Sequence, residues 1–262
     1  MISNYLYGRL GNLMFEIAAS YSLALDNNDE HGVDFINGHL IERVASYDTN
    51  PIFKKVNRID IRKMQSVRYF ETYFHYNPIP YTQYADKLFI IAGYFQSELY
   101  FLKNKDKVIN MFSDLDIIDK LRTKNAKVLN KSVSLSVRRT DYVELADYHN
   151  LLGLDYYADS IKYIDSTRYI EHILVFSDDI KWCKENLHDE RMIFVDDLKD
   201  YEALYLMSLC ENNIVANSSF AWWGSYLNKN EDKIVIMPAR WLGDAAQRDW
   251  RDIYPQNVII MK

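Results

Sequence analysis

Two adjacent arginines, Arg138 and Arg139, with Thr140 and Asp141 directly after them, are the residues of this chain best suited to handling a multiply charged anion. A guanidinium keeps its charge and presents a planar fork that matches phosphate oxygens two at a time. When a group departs from a diphosphate, charge develops on the leaving phosphate, and a fixed cation aimed there stabilises the transition state. Adjacent residues at a strand end point to opposite faces, so one arginine of the pair faces a cleft more directly than the other. Asp141 could hold a guanidinium in place or touch substrate. The same residue types also build ordinary surface ion-pair clusters.

Three further segments combine polar or glycine residues with expected strand ends. Gly8-Arg9-Leu10-Gly11-Asn12 precedes a helix, and its glycines permit close backbone approach to an anion or ligand there. A packing turn has the same appearance, and neither G-x-G-x-x-G nor G-x-x-x-x-G-K-[ST] occurs in the chain. Asn217-Ser218-Ser219, with Phe220 after it, either caps a helix or offers N–H groups and hydroxyls to phosphate. Ser177-Asp178-Asp179 could accept hydrogen bonds from a base edge or ribose, with Asp179 as a helix cap in the plainer reading. Asp114-Leu115-Asp116 is a literal D-x-D, but it falls in a helical region rather than after a buried strand. The six histidines show no metal-ligand spacing, so no metal site is expected. Cys183 and Cys210 read as buried free thiols.

The formal net charge of −6 argues against wholesale nucleic-acid binding. An anionic ligand would then depend on a few focused cations. Tyrosine occurs 21 times, and its ring and hydroxyl suit polyhydroxylated partners such as glycans. A compositional bias shared with Asn, Asp, Lys and Ile is the simpler account of that count. The first residues, MISNYLYGRLGN, lack the features of a signal peptide, and no apolar run reaches membrane-spanning length. The expectation is a cytoplasmic protein without a transmembrane segment, at most resting on a membrane surface.

Regular strand–helix alternation must position these groups. A strand from Ile2 to Tyr7 leads through the first glycine turn into a helix from Asn12 to about Leu25. Its apolar residues Leu13, Met14, Ile17, Ala18, Tyr21 and Leu25 recur at three and four. Residues 26–84 show no sustained period. Leu88 to Ala92 reads as a buried strand, and Glu98 to Lys131 as helical with a break near Ser113. Strands at 133–137, 172–176, 192–195, 213–216 and 234–237 then alternate with helices at 156–164, 180–186, 202–210 and 220–227. This predicts an α/β protein of two Rossmann-like lobes on parallel sheets, residues 1–130 and 131–262, facing each other across a cleft.

Taken in order, the motifs resemble those of the inverting α1,2-fucosyltransferases. Gly8 to Glu16 is similar to that family's G-x-L-G-N-Q-M-F-Q, and Gly93 to Glu98 to its G-Y-F-Q segment. Ser136 to Tyr142 resembles H-x-R-R-G-D-Y, and Phe176 to Asp179 resembles F-S-D-D. Leu206-Met207-Ser208 through Asn217 to Gly224 resembles L-M-S…N-S-S-F-S-W-W-G. The likeness covers nearly the whole chain and is weakest over 26–84. Ser136 stands where the family has histidine, Thr140 where it has glycine and Leu13 where it has glutamine.

The resemblance implies a GT-B enzyme that moves L-fucose from GDP-fucose to a sugar hydroxyl, with inversion, in α1,2 linkage and without metal or cofactor. The acceptor would be a galactose-containing glycan. Carried over by position, Arg138 and Arg139 would contact the donor pyrophosphate, with Arg138 the more critical. Gly8, Arg9, Gly11 and Asn12 would line the donor–acceptor cleft. Ser218, Ser219 and Phe220 would bind phosphate and close over the sugar. Ser177, Asp178 and Asp179 would lie near the nucleoside, with Ser136 at the position that reads the base. A transferase of another nucleotide-activated sugar such as L-rhamnose, and a silent glycan-binding protein, are the alternative readings. No pattern singles out a general base. Asp141, Glu144 and Glu16 are the carboxylates beside the motifs.

Overall fold

A computed structural model describes residues 1–39, 42–84 and 86–262, which form two units. The first comprises residues 1–114 and 248–255. It holds β1 (Ile2–Asn4), α1 (Leu10–Asp26), β2 (Ser66–Phe70), β3 (Leu88–Ala92) and α2 (Lys105–Met111). The sheet runs β1-β3-β2 with both pairings parallel, in the register Ile2 to Phe89 and Phe70 to Ala92. β3, Leu-Phe-Ile-Ile-Ala, is buried at every position, as a central parallel strand covered on both faces must be. Ala19 and Ala24 of α1 pack with Ile2, Phe89, Ile91 and Phe95.

The second unit comprises residues 115–247 and 256–262. It opens with α3 (Leu115–Lys124) and α4 (Ala126–Leu129), followed by β4 (Ser132–Val137), α5 (Thr140–Glu144), α6 (Ala146–His149) and α7 (Leu154–Thr167). Then come β5 (His172–Ser177), α8 (Ile180–Asn186), β6 (Met192–Val195), α9 (Asp200–Leu209), β7 (Asn212–Ile214), α10 (Ser219–Tyr226), β8 (Val235–Pro238) and β9 (Ile259–Met261). The strand order is β6-β5-β4-β7-β8-β9, and every pairing is parallel. Order therefore reverses between β4 and β7. In open parallel sheets the crevice beyond such a reversal is where ligands bind.

β4 reads Ser-Val-Ser-Leu-Ser-Val, an alternation that elsewhere would mark a strand with one wet face. All six residues are buried. Val133, Leu135 and Val137 enter a core with Tyr157, Ile173, Val175 and Ile214. The serine face forms a polar seam toward β7. Asn213 donates to the Ser134 hydroxyl at 2.7 Å, and Asn228 donates to the Asn213 side-chain oxygen at 2.8 Å. The Ser136 hydroxyl accepts from Ala216 N–H at 2.7 Å and lies 3.3 Å from the Ile214 carbonyl, to which it donates.

The α/β class with parallel sheets is as the alternation predicted, and most strands and helices of the second half fall within a residue or two of their expected bounds. The long helical stretch after Glu98 instead divides into two single 3-10 turns, α2, α3 and α4. The sequence division lay after residue 130, whereas α3 and α4 group with the second unit, α3 lying against α9. Near its end the chain returns to the first unit over residues 248–255, where the Asp252 carboxylate accepts from Tyr76 N–H at 2.9 Å, and then supplies β9 to the second. No helix among the described residues is long and apolar enough to cross a membrane.

Glu16 lies in the middle of α1 with no exposed surface. One carboxyl oxygen accepts from Tyr7 N–H at 3.0 Å, and the other has no partner. Burial pushes this carboxyl well above the ordinary range, with the Tyr7 N–H opposing and Glu71 adding to the rise. A raised folded-state pKa gives stability that is full at low pH and is lost as pH climbs toward the folded value. Glu16→Gln keeps the shape and the acceptor for Tyr7 but cannot ionise. It should therefore melt above wild type at about pH 8 and show a flatter dependence of melting temperature on pH. Parallel melting curves across pH for the two proteins would show the opposite if Glu16 folds ionised.

Candidate active site

In the second unit the sequence-nominated residues collect at the carboxyl ends of β4, β5 and β7. Arg138 is the first residue beyond β4, with its side chain 18% exposed. One terminal nitrogen lies 2.9 Å from the Asp178 carboxylate, and the other pairs with Asp141. The guanidinium also lies over the Tyr142 ring at 5.3 Å. A guanidinium carries five N–H donors, so two carboxylate contacts fix its plane and leave donors for an anion.

Arg139 points elsewhere. Its guanidinium lies 3.6 Å over the Trp182 ring of α8, and its buried Nε has no partner. The opposed directions expected of neighbours at a strand end are thus present. Asp178 organises this corner. Besides Arg138, it accepts from Arg139 N–H at 2.9 Å and from the Thr140 hydroxyl. Asp179 caps α8 by accepting from Trp182 N–H at 3.1 Å, and the Ser177 hydroxyl accepts from Asp179 N–H at 2.9 Å. The Ser136 hydroxyl is engaged within the sheet, as described above.

Beyond β7, Asn217 is buried and donates from its amide to the carbonyls of Asn150 and Trp241 at 3.0 Å each and to that of His149. Its side-chain oxygen has no partner. The Tyr142 hydroxyl donates to the Asn217 carbonyl at 2.8 Å, tying α5 to the loop after β7. Ser218 is the N-cap residue of α10 without a side-chain cap bond, and Ser218, Ser219 and Phe220 remain partly exposed. The first turn of α10 thus leads away from the strand-order reversal, and its N-terminal end carries the favourable potential for an anion.

The first unit holds the glycine turn. Gly8 has φ +82°, and a Cβ there would meet the Asn12 amide at 2.5 Å. Arg9 is exposed, Gly11 is buried in the first turn of α1, and the Asn12 side-chain oxygen accepts from Gln96 at 3.0 Å. Beside this turn sits Glu71, which sequence reasoning missed. Its carboxylate accepts from Tyr94 N–H at 2.8 Å and Phe95 N–H at 3.0 Å. Burial pushes its pKa up to about 7 against the pull of those two N–H groups. Also missed were Tyr142, Trp182 and His149. Tyr142 had a signal, standing directly after Asp141, whereas His149 lies outside every motif and period.

Of the three carboxylates beside the motifs, Asp141 pairs with Arg138, Glu144 is exposed and Glu16 is enclosed. The D-x-D lies at the start of α3, with Asp114 3.4 Å from Lys54. Among the described residues no three His, Cys, Asp or Glu side chains are grouped to hold a metal ion.

Comparison with known proteins places the chain in a family. The sequence matches glycosyl transferase family 11 over residues 1–261, and the chain belongs to that family. It is a glycosyltransferase of fucosyltransferase-like type. It is 29% identical to the O-antigen biosynthesis glycosyltransferase WbnK of Escherichia coli, over 90% of this chain and 93% of that one. It is 31% identical to an alpha-1,2-colitosyltransferase of Escherichia coli, over 90% of each. Among solved structures, NodZ alpha-1,6-fucosyltransferase co-crystallised with GDP is similar with a TM-score of 0.55 and 12% identity, covering 86% of this chain and 91% of that one. The fold is the α/β GT-B type with parallel sheets.

The Arg139–Trp182 stack predicts a contribution to stability. In a double-mutant cycle of Arg139→Ala and Trp182→Ala followed by denaturant unfolding, the coupling should be about 0.5–2 kcal/mol. Strictly additive losses would mean that the stack contributes nothing.

Proposed function

We propose that the chain transfers L-fucose from GDP-fucose to a sugar hydroxyl of a galactose-containing glycan, in α1,2 linkage, with inversion and without a metal ion. The observation that carries this reading is Arg138, a guanidinium fixed by Asp141 and Asp178 at the point where strand order reverses. Opposite it across the β4–β7 pair stand Asn217, Ser218 and Ser219 at the start of α10. A nucleoside diphosphate fits this pair of elements. Its phosphate oxygens would take the remaining Arg138 donors on one side and the α10 N–H groups and serine hydroxyls on the other.

The chemistry follows from where charge moves. As the anomeric carbon–oxygen bond lengthens, its electron pair passes to the β-phosphate oxygen, and the sugar becomes oxocarbenium-like. Arg138 would strengthen its hold as that charge grows, which is the condition for lowering a barrier. The acceptor oxygen would attack the opposite face, inverting the anomeric centre. Since guanidinium and helix-end N–H groups supply the countercharge, no divalent cation is required. Asp178 acts as a positioning residue here, and Ser136 and Asn217 hold the two walls in register. Gly8, Arg9, Gly11 and Asn12 belong to the acceptor-side unit in this reading.

A second donor sugar has an observation in its favour. The 31%-identical relative is named for transfer of colitose, so that sugar is the first alternative to fucose on the same nucleotide.

Arg138→Ala should lower turnover by a factor of roughly 100 to 1,000, the usual loss on removing one such donor. Arg138→Lys should recover little, because an ammonium cannot copy the fork. Steady-state kinetics on folded variants would contradict the mechanism if Arg138→Ala turned over near wild type. Activity should also persist in excess chelator; loss on chelation with recovery on adding manganese would show that a metal does the work assigned to arginine.

A further inference from the structure

His149 is half-buried and is held by two aromatic rings and by its own backbone. Its imidazole stacks on Tyr142 with centroids 4.2 Å apart and planes 5° from parallel. Tyr148 meets it edge-on at 4.9 Å. Its carbonyl accepts from the Asn217 amide, whose own carbonyl takes the Tyr142 hydroxyl. Ring, backbone, α5 and the loop after β7 therefore form one closed knot. Tyr142 carries the Arg138 guanidinium over its ring. The imidazole thus sits one aromatic ring away from the group proposed to hold the leaving phosphate. A side chain this constrained, with neither ring nitrogen hydrogen-bonded to any of the described residues, is pre-organised for a ligand.

We infer that His149 accepts the proton of the attacking sugar hydroxyl. The inference rests on the transferase reading above and adds the base that the reading lacks. The balance is simple: the hydroxyl oxygen forms the new bond to the anomeric carbon, its proton passes to an imidazole nitrogen, and the electron pair of the broken bond leaves on the nucleoside diphosphate. An oxocarbenium-like transition state asks for little base strength, so an imidazole of modest basicity is sufficient.

The charged surroundings set the pH behaviour. Burial lowers the imidazole pKa below its ordinary value. Asp141 of α5 opposes this, and Arg138 adds to it. The other neighbours are the rings of Tyr142 and Tyr148, the uncharged Asn217, and the 239–243 loop, whose Arg240 is paired with Asp244. The imidazole is therefore neutral and able to accept a proton near pH 7, and it charges only on the acid side of its ordinary value of about 6.5.

The test uses GDP-fucose with lactose as the acceptor probe, on wild type, His149→Gln and His149→Phe, between about pH 5 and pH 8. His149→Phe keeps a ring to stack on Tyr142 but has no nitrogen, and stabilisation of each variant by added GDP reports an intact donor site. The inference expects kcat to fall at least about 100-fold in both variants, with donor KM little changed and the acid limb of the wild-type profile gone. His149→Ala should regain part of its turnover in added imidazole. A His149→Phe protein within about threefold of wild-type kcat, or one that is slow yet keeps the acid limb with no imidazole rescue of His149→Ala, overturns the inference and leaves the transferase reading standing. A wild-type protein that neither transfers fucose to any galactoside nor is stabilised by GDP overturns the reading beneath, and the inference with it.

Discussion

The parallel pairing of β4 with β7 is the constraint on which the second unit depends. These strands are far apart in sequence, and α5 to α9 with β5 and β6 must all fold between them. Their pairing reverses the strand order and sets two strand ends side by side. It is held by an unusual device, a buried row of serines facing asparagines. Each hydroxyl and amide in such a seam must be satisfied, since an unpaired buried polar group costs roughly 1–3 kcal/mol. The Ser134–Asn213–Asn228 chain and the two bonds of Ser136 meet that condition. A slip of one residue would turn the serines into the apolar core and the valines into the seam. Register is therefore tightly specified, and with it the direction in which Arg138 leaves the sheet.

The first unit uses a different device for a related end. Its sheet stops at Ala92, and the chain must turn immediately into the Gly93–Gln96 segment. Gly93 has φ +155° and no room for a side chain, since a Cβ would fall 2.2 Å from that of Glu71. Phe95 follows at φ +47°, a conformation that ordinary residues adopt rarely. The Glu71 carboxylate holds this turn by accepting two consecutive N–H groups. The turn in turn presents Gln96 to Asn12 and brings Tyr94 to a ring distance of 6.0 Å from Tyr7. The glycine turn before α1 and the Gly-Tyr-Phe-Gln turn after β3 are thus one assembly.

Much of this was legible because the signal was local. The second half repeats strand and helix with short apolar runs and polar strand ends, and β5, α8 and β6 sit where periodicity placed them. The motif arginines, Asp178 and Asn217 could be nominated because charged and polar residues at strand ends are conspicuous. Their partners could not. That Asp178 serves Arg138, Arg139 and Thr140 together, and that Asn217 closes on His149, Asn150 and Trp241, depends on pairings across dozens of residues that no window contains. β2 was missed because Ser-Val-Arg-Tyr-Phe is an edge strand, only half-buried and set among aromatic and charged residues. β9 was missed because it comes after the chain has left the second unit and returned. The burial of the serine face of β4 is not legible, since alternation reports two chemistries and not which of them is buried.

The central claim is that a fixed arginine fork at the strand-order reversal receives a nucleoside diphosphate through its phosphates. The most direct test is calorimetric titration of the wild-type protein with GDP, GMP and guanosine under one set of conditions. The account predicts clear binding of GDP, weaker binding of GMP and still weaker binding of guanosine, with affinity growing as phosphates are added. Equal affinity for all three, or no heat with any of them, would contradict it.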